Sequence, residues 1–337
     1  IGISELGVRT VLHEQLRGTA KLNDFYRSAD ETADNNPVDV LFLGSSRVAG
    51  VVRPEIVSDV VQDSTDSSNL EVVNVGQGFS TLALHYYGLK RLYENHPDHM
   101  RGALIMIEAP SEIPLYQKWS DKWVHNSWPA LFGPLLTTDN LIPFVLQSSG
   151  SLFTKAYAVA SGPLKTVRFG RSFRPKLEEK VNAQLVADTN EVPEADLSTA
   201  GGVRADSAGV ALVRERMIRQ MEKSRSNVDS SLWQNWDETI TADIVQLARA
   251  NGGDVAFFEM PESSYQFRRH PSSLREAGKE AFQEWAQDNN LTMLRFPNFD
   301  TTDEDFPDLL HMRMSRSEEY STIIARDIVS LIDMQGR

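Results

Sequence analysis

The chain has 337 residues, 41% of them hydrophobic and 24% charged. That is the composition of one elaborated α/β domain or of two domains, and it excludes a mostly disordered chain, a collagen and a small disulfide-stapled scaffold. Lys and Arg number 34 against 47 Asp and Glu, a formal net charge of −13, so nucleic acid and anionic membrane surfaces are repelled on average and no nucleic-acid partner is expected. With no cysteine, disulfides, thiolate metal sites and cysteine nucleophiles are excluded, while the redox compartment stays open.

The chain starts at Ile1, and Ile1 to Gly7 reads as the remainder of something longer. A removed signal peptide or anchor helix, and with it a periplasmic or membrane-anchored location, is therefore an expectation. No run reaches the roughly 18 uninterrupted apolar residues of a membrane span. Residues 1–37 read as an N-terminal helix and connector: Val8, Val11, Leu12, Leu16, Leu22 and Phe25 recur at helical spacing, and the polar run Ala29 to Pro37 follows. The remainder, 38–337, reads as one catalytic-type domain.

Val38 to Leu43 is a short run rich in β-branched and aromatic residues, closed by Gly44, as expected of a strand buried on both faces of a parallel sheet. The same form recurs at Val72–Val75, Ala103–Ile107, Val255–Phe258 and Leu291–Phe296. Helical sequence lies between these runs. Leu82, Tyr86, Leu89 and Tyr93 share a face before His96-Pro97; Leu232, Trp236, Ile240, Ile244 and Leu247 do so before Asn251-Gly252-Gly253. Ser272 or Ser273 caps a helix through Phe282 and Trp285, and Tyr320, Ile324, Ile328 and Leu331 line a terminal helix. Strands alternating with helices predict an α/β protein with a three-layer α/β/α, flavodoxin-like arrangement around a five-stranded, mostly parallel sheet. Residues 117–225 exceed one crossover; with Trp119, Trp123 and Trp128 and the acidic stretch Lys180 to Asp206, they read as a largely helical insertion after the third strand, placed as a lid or substrate platform.

In such sheets ligands bind beyond the carboxyl ends of the strands. Gly44-Ser45-Ser46-Arg47 follows the first run, Gly76-Gln77-Gly78 the second, Glu108 to Ser111 the third, and Asp308-Leu309-Leu310-His311 lies beyond the last. A serine at a strand-to-helix turn is either an ordinary helix cap or a nucleophile whose oxyanion meets free helix N–H groups. As a nucleophile it needs a base, and the base needs an acceptor that fixes its tautomer. Of the seven histidines, His311 has Asp308 three positions before it, a spacing at which a tight turn brings a carboxylate to Nδ1. The plain alternative is a surface acidic loop, since Asp300, Asp303, Glu304 and Asp305 crowd the same segment. His85 reads as a partly buried helix histidine.

Taken in order, these blocks resemble the SGNH (GDSL-like) hydrolase superfamily. The resemblance implies that Ser46 matches the nucleophile, with Ser45 where many members carry Asp. It implies that His311 and Asp308 match the base and acid, and that the oxyanion is held by the N–H groups of Ser46 and Gly78, with Gly76 the fallback. It covers about 38–116 and 240–335 and leaves the insertion unaligned. The third block departs from the family: Ile107 to Glu112 contains no Asn, so one oxyanion donor is missing or replaced by the Ser111 hydroxyl, and losing a donor costs about two to three orders of magnitude in rate. The Gly-Ser-Ser turn and degraded third block resemble the envelope-associated branch that assists acylation of polysaccharides.

The expected activity is a serine esterase or O-acyl(acetyl)transferase acting on an acylated carbohydrate or another small acyl ester, with a membrane-bound acyl-transfer partner in the second case and neither metal nor organic cofactor. The alternative is a catalytically weak SGNH-fold binding or assembly protein of the envelope. Other motifs fall short of the chemistry they imitate. Gly76-x-Gly78-x-x-Thr81 lacks the third glycine of a dinucleotide fingerprint, and no Walker lysine or His-Glu-x-x-His occurs. Asp300 to Asp308 is either a metal site or a solvated loop, the three tryptophans either a platform or core, and Arg47 either a contact for a substrate carboxylate or a surface arginine.

Overall fold

The computed structural model describes residues 26–65, 70–76, 82–109, 118, 235–264, 272–296, 299–307, 309 and 311–335. The chain divides into two compact units, Ile1–Arg27 with Lys118–Asp196, and Ser28–Gln117 with Leu197–Arg337. Of the first unit only Tyr26, Arg27 and Lys118 are described; the sheet and the helices that cover it belong to the second. The expected insertion 117–225 and its tryptophans lie outside the described residues, Lys118 excepted.

In chain order the elements are α1 (Arg27–Asn35), β1 (Val40–Leu43), α2 (Ser46–Val51), α3 (Pro54–Ser64), β2 (Val72–Asn74), α4 (Leu82–Asn95) and β3 (Leu104–Glu108), followed by α5 (Ile240–Ala250), β4 (Asp254–Phe258), α6 (Ser272–Asp288), β5 (Thr292–Leu294) and α7 (Met314–Gln335). Five strands form one sheet in the order β2-β1-β3-β4-β5, every neighbouring pair parallel. β1 is in register with β3 from Val40 opposite Leu104 to Leu43 opposite Ile107. The chain moves outward from β1 to β2 and then returns to β3 on the other side, so the strand order reverses between β1 and β3, where open sheets leave a crevice at their carboxyl ends.

Alternation along doubly buried strands sorts side chains between two faces. Val40, Phe42, Leu104, Met106, Ala256 and Phe258 pack with Val48, Val57 and Val61 of α2 and α3 and with Tyr320, Ile324 and Ile328 of α7. On the opposite face Phe257 meets Phe282 and Trp285 of α6, ring centroids 4.9 and 6.2 Å apart. Helices therefore cover both sides of an all-parallel sheet.

Two local expectations are corrected. The polar run Ala29 to Pro37 is not a connector throughout, because α1 occupies Arg27–Asn35. Its core contact comes from Ala29 and Ala33, both fully buried four positions apart, too little apolar surface to register as a periodic pattern. The fifth strand is only Thr292–Leu294, since an edge strand has one partner and Thr292 and Arg295 face solvent.

The last helix is tied directly to the first turn beyond β1. Ser321 Oγ donates to Val51 O and accepts from Arg53 N–H, both at 3.0 Å, and Ser317 Oγ lies 3.2 Å from Gly50 O. These hydroxyls satisfy carbonyls at the end of α2, which would otherwise be orphaned. They also register α7, and the residues just before it, against the turn that carries Ser46.

Candidate active site

The turn after β1 is built from close approach. A Cβ on Gly44 would fall 2.3 Å from Val48 Cγ2 and 2.8 Å from Glu108 Oε2, so only glycine lets the chain pass between β3 and α2. Ser45 is the N-cap, in extended conformation, and its Oγ accepts the Arg47 N–H at 3.2 Å. Ser46 is the first residue of α2, where a backbone N–H has no acceptor within the helix. Asn74, at the end of β2, braces the other end: its Nδ2 donates to Val48 O at 2.9 Å and Val52 O at 2.8 Å.

Ser46 Oγ and His311 Nε2 are 2.8 Å apart, although 265 positions separate them in the chain. The loop that brings the imidazole there is pinned at several points. A turn closes from Leu309 N–H to Phe306 O at 2.9 Å, and Leu309 itself is buried with φ +69°, a left-handed conformation costly for a branched side chain. The Leu309 carbonyl accepts from Ser263 Oγ at 2.7 Å, and Ser264 donates through N–H and Oγ to Asp303 at 2.8 and 2.6 Å. The segment after β4 thus supports the residue two positions before the imidazole.

The remaining sites named from the sequence divide clearly. Asp308, Gly78 and Ser111 lie outside the described residues. Gly76 is corrected as the fallback oxyanion donor: its N–H already donates to Asn74 Oδ1 at 2.8 Å, and a Cβ there would lie 2.5 Å from Ala49 N. Its role is close packing of β2 against α2. Arg47 is corrected as a surface arginine. Its side chain is 11% exposed, with Nη2 2.5 Å from Glu108 Oε1 and Nη1 3.4 Å from Glu262 Oε1. Asp303 serves Ser264, and Asp305 closes a capping box with Thr302. Among the described residues no three His, Asp or Glu side chains are grouped to hold a metal ion, and no helix is long and apolar enough to cross a membrane.

No protein-family model matches this chain, and no curated protein does. Among solved structures, the lipase/acylhydrolase from Enterococcus faecalis is similar at 14% identity over 87% of this chain and 96% of that one, with a TM-score of 0.32. A likeness of that size carries no functional argument, which rests on the geometry of the site.

Four residues beside the turn support it, a part that the sequence reading gave to none of them. Glu108, the last residue of β3 and 4% exposed, accepts Ser45 N–H at 2.7 Å and Ser45 Oγ–H at 3.2 Å. Glu262 bridges Arg47 and Arg275, the latter from α6. The signal for Glu108 was an acidic residue ending an otherwise apolar strand; Glu262 and Arg275 left none, since only the fold brings them together.

His85 on α4 is the fourth. Its Nε2 lies 3.0 Å from Gly44 O; a carbonyl only accepts, so Nε2 carries the proton. Burial pushes the imidazole pKa down from 6.5 to about 4, partly opposed by the Gly44 hydrogen bond and the Glu108 charge. The unfolded imidazole binds a proton below pH 6.5 and the folded one only near 4. The stability from this group is therefore complete above the first value and lost as pH falls toward the second, about 3 kcal/mol in all. Denaturant titrations across that window should show the decline, and H85Q should flatten it.

Proposed function

We propose that this chain is a serine-dependent acyl-ester hydrolase or O-acyltransferase of the SGNH type, acting on an acylated carbohydrate or another small acyl ester. The observation that carries the reading is the 2.8 Å contact between Ser46 Oγ and His311 Nε2, at the carboxyl end of β1 and beside the reversal in strand order. A hydroxyl on the first residue of a helix, touching an imidazole nitrogen, is the minimum apparatus of nucleophilic acyl transfer.

In this mechanism Ser46 Oγ attacks the acyl carbonyl while His311 Nε2 takes its proton. Asp308 accepts from Nδ1–H and holds that tautomer. The oxyanion is met by the N–H groups of Ser46 and Gly78, with the Ser111 hydroxyl in place of an absent Asn. His311 then returns the proton to the leaving alcohol, giving an acyl-serine and free alcohol. Water as second acceptor completes hydrolysis; a sugar hydroxyl completes transfer. No step needs a metal or an organic cofactor.

The test is turnover of p-nitrophenyl acetate and labelling by a fluorophosphonate, each compared with S46A. Hydrolysis and labelling that both vanish in S46A are expected. A folded wild-type protein that is neither labelled nor active on short acyl esters would overturn the proposal in favour of a non-catalytic envelope binding protein.

A further inference from the structure

The peptide unit joining Gly44 to Ser45 is gripped on both edges by side chains from other elements. Its carbonyl oxygen accepts from His85 Nε2–H on α4 at 3.0 Å, and its N–H donates to Glu108 Oε2 at the end of β3 at 2.7 Å. Both side chains are nearly dry, His85 at 2% and Glu108 at 4% exposure, so water does not compete for either bond. Glu108 is itself fixed by Arg47 Nη2 at 2.5 Å. Rotating this peptide would turn its carbonyl oxygen onto a carboxylate and its N–H onto the imidazole N–H, so both bonds would become repulsions together. Ser46 is joined to that plane through Ser45, itself held by the bond from Arg47 N–H to its Oγ at 3.2 Å, so the plane fixes the start of the turn that delivers Ser46.

We infer that Glu108 and His85 are positioning residues that lock the Gly44–Ser45 peptide and thereby aim Ser46 Oγ at His311 Nε2. Neither touches the reacting atoms. The pair explains why a carboxylate ends an apolar strand and why an imidazole is buried in α4: one supplies the acceptor and the other the donor that a single peptide plane requires. A displacement of about 1 Å in a reacting group costs on the order of 100-fold in rate, so the effect is expected in the chemical step and not in substrate binding.

This inference rests on the acyl-transfer reading, and the experiment separates the two. H85L and E108M remove the donor and the acceptor, H85Q and E108Q keep them, and the double variant H85L/E108M tests coupling. Each apolar variant should lower kcat and the rate of fluorophosphonate labelling at Ser46 by about 100-fold with KM unchanged. The glutamine variants should recover most of that loss, and the double variant should fall little below the worse single one, because both groups act on the same peptide. Folded variants at wild-type rates, or losses that multiply in the double variant, would overturn it; if E108M does not fold, H85L and E108Q carry the comparison. If the wild-type protein is never labelled, the acyl-transfer reading fails by itself. Crystal structures then decide the clamp: a rotated Gly44–Ser45 peptide and a broken Ser46–His311 contact in H85L sustain it, and an unmoved peptide with the contact intact refutes it.

Discussion

Replacing His311 with Ala is expected to abolish ester turnover almost as completely as removing the Ser46 hydroxyl, a loss of about 10⁴ to 10⁶ in kcat. An aliphatic hydroxyl at neutral pH is a poor nucleophile, and Nε2 at 2.8 Å is the base placed to take its proton. Because the two groups act as one unit, the double variant S46A/H311A should be no slower than either single variant. Stability should change little, since His311 is only partly buried at the rim of the sheet. Steady-state rates on an activated acetyl ester, with a denaturation curve for each variant, check both halves. Turnover by H311A within tenfold of wild type would remove the imidazole from the mechanism.

That contact was expected from the resemblance, within a small set of residues that the strand pattern had already narrowed. Strands buried on both faces write themselves as compact runs such as Val40 to Leu43 and Leu104 to Ile107, and a parallel sheet puts its ligand site where those runs end. Only a handful of polar side chains follow them, and only one histidine lies beyond the last. The sheet and the short set of candidate residues were legible for this reason; that Ser46 and His311 pair within that set is what the resemblance to the SGNH hydrolases implied. The support was not legible. Arg47 lies 61 positions from Glu108 and 215 from Glu262, so no local pattern links them, and Arg47 read either as a contact for a substrate carboxylate or as a surface residue, with neither acidic partner in view. Asn74 lies inside the second strand run, where nothing local marks its work of holding the carbonyls of Val48 and Val52. α1 was missed because two alanines supply its buried face.

The larger stability effect should come from Glu262. Its side chain, 9% exposed, meets Arg47 Nη1 at 3.4 Å on one side and Arg275 Nη2 on the other. With Glu108 these residues form a net-neutral set of two acids and two bases behind the Ser46 turn. The next residue, Ser263, holds the Leu309 carbonyl in the His311 loop, so one short segment after β4 braces both partners of the contact. E262L would take the carboxylate away from Arg275, whose side chain is 4% exposed, and breaking a buried pair from one side costs about 3 to 5 kcal/mol. Arg47 retains Glu108, so the loss should fall mainly on the α6 side. The double variant E262L/R275L should recover much of the loss, because replacing both members of a buried pair by apolar groups of similar size is often neutral. Chemical denaturation of the wild type, both single variants and the double variant measures the coupling. A cost for E262L below about 1 kcal/mol, the range of an exposed pair, would show that water screens the bridge and that it does not brace the turn.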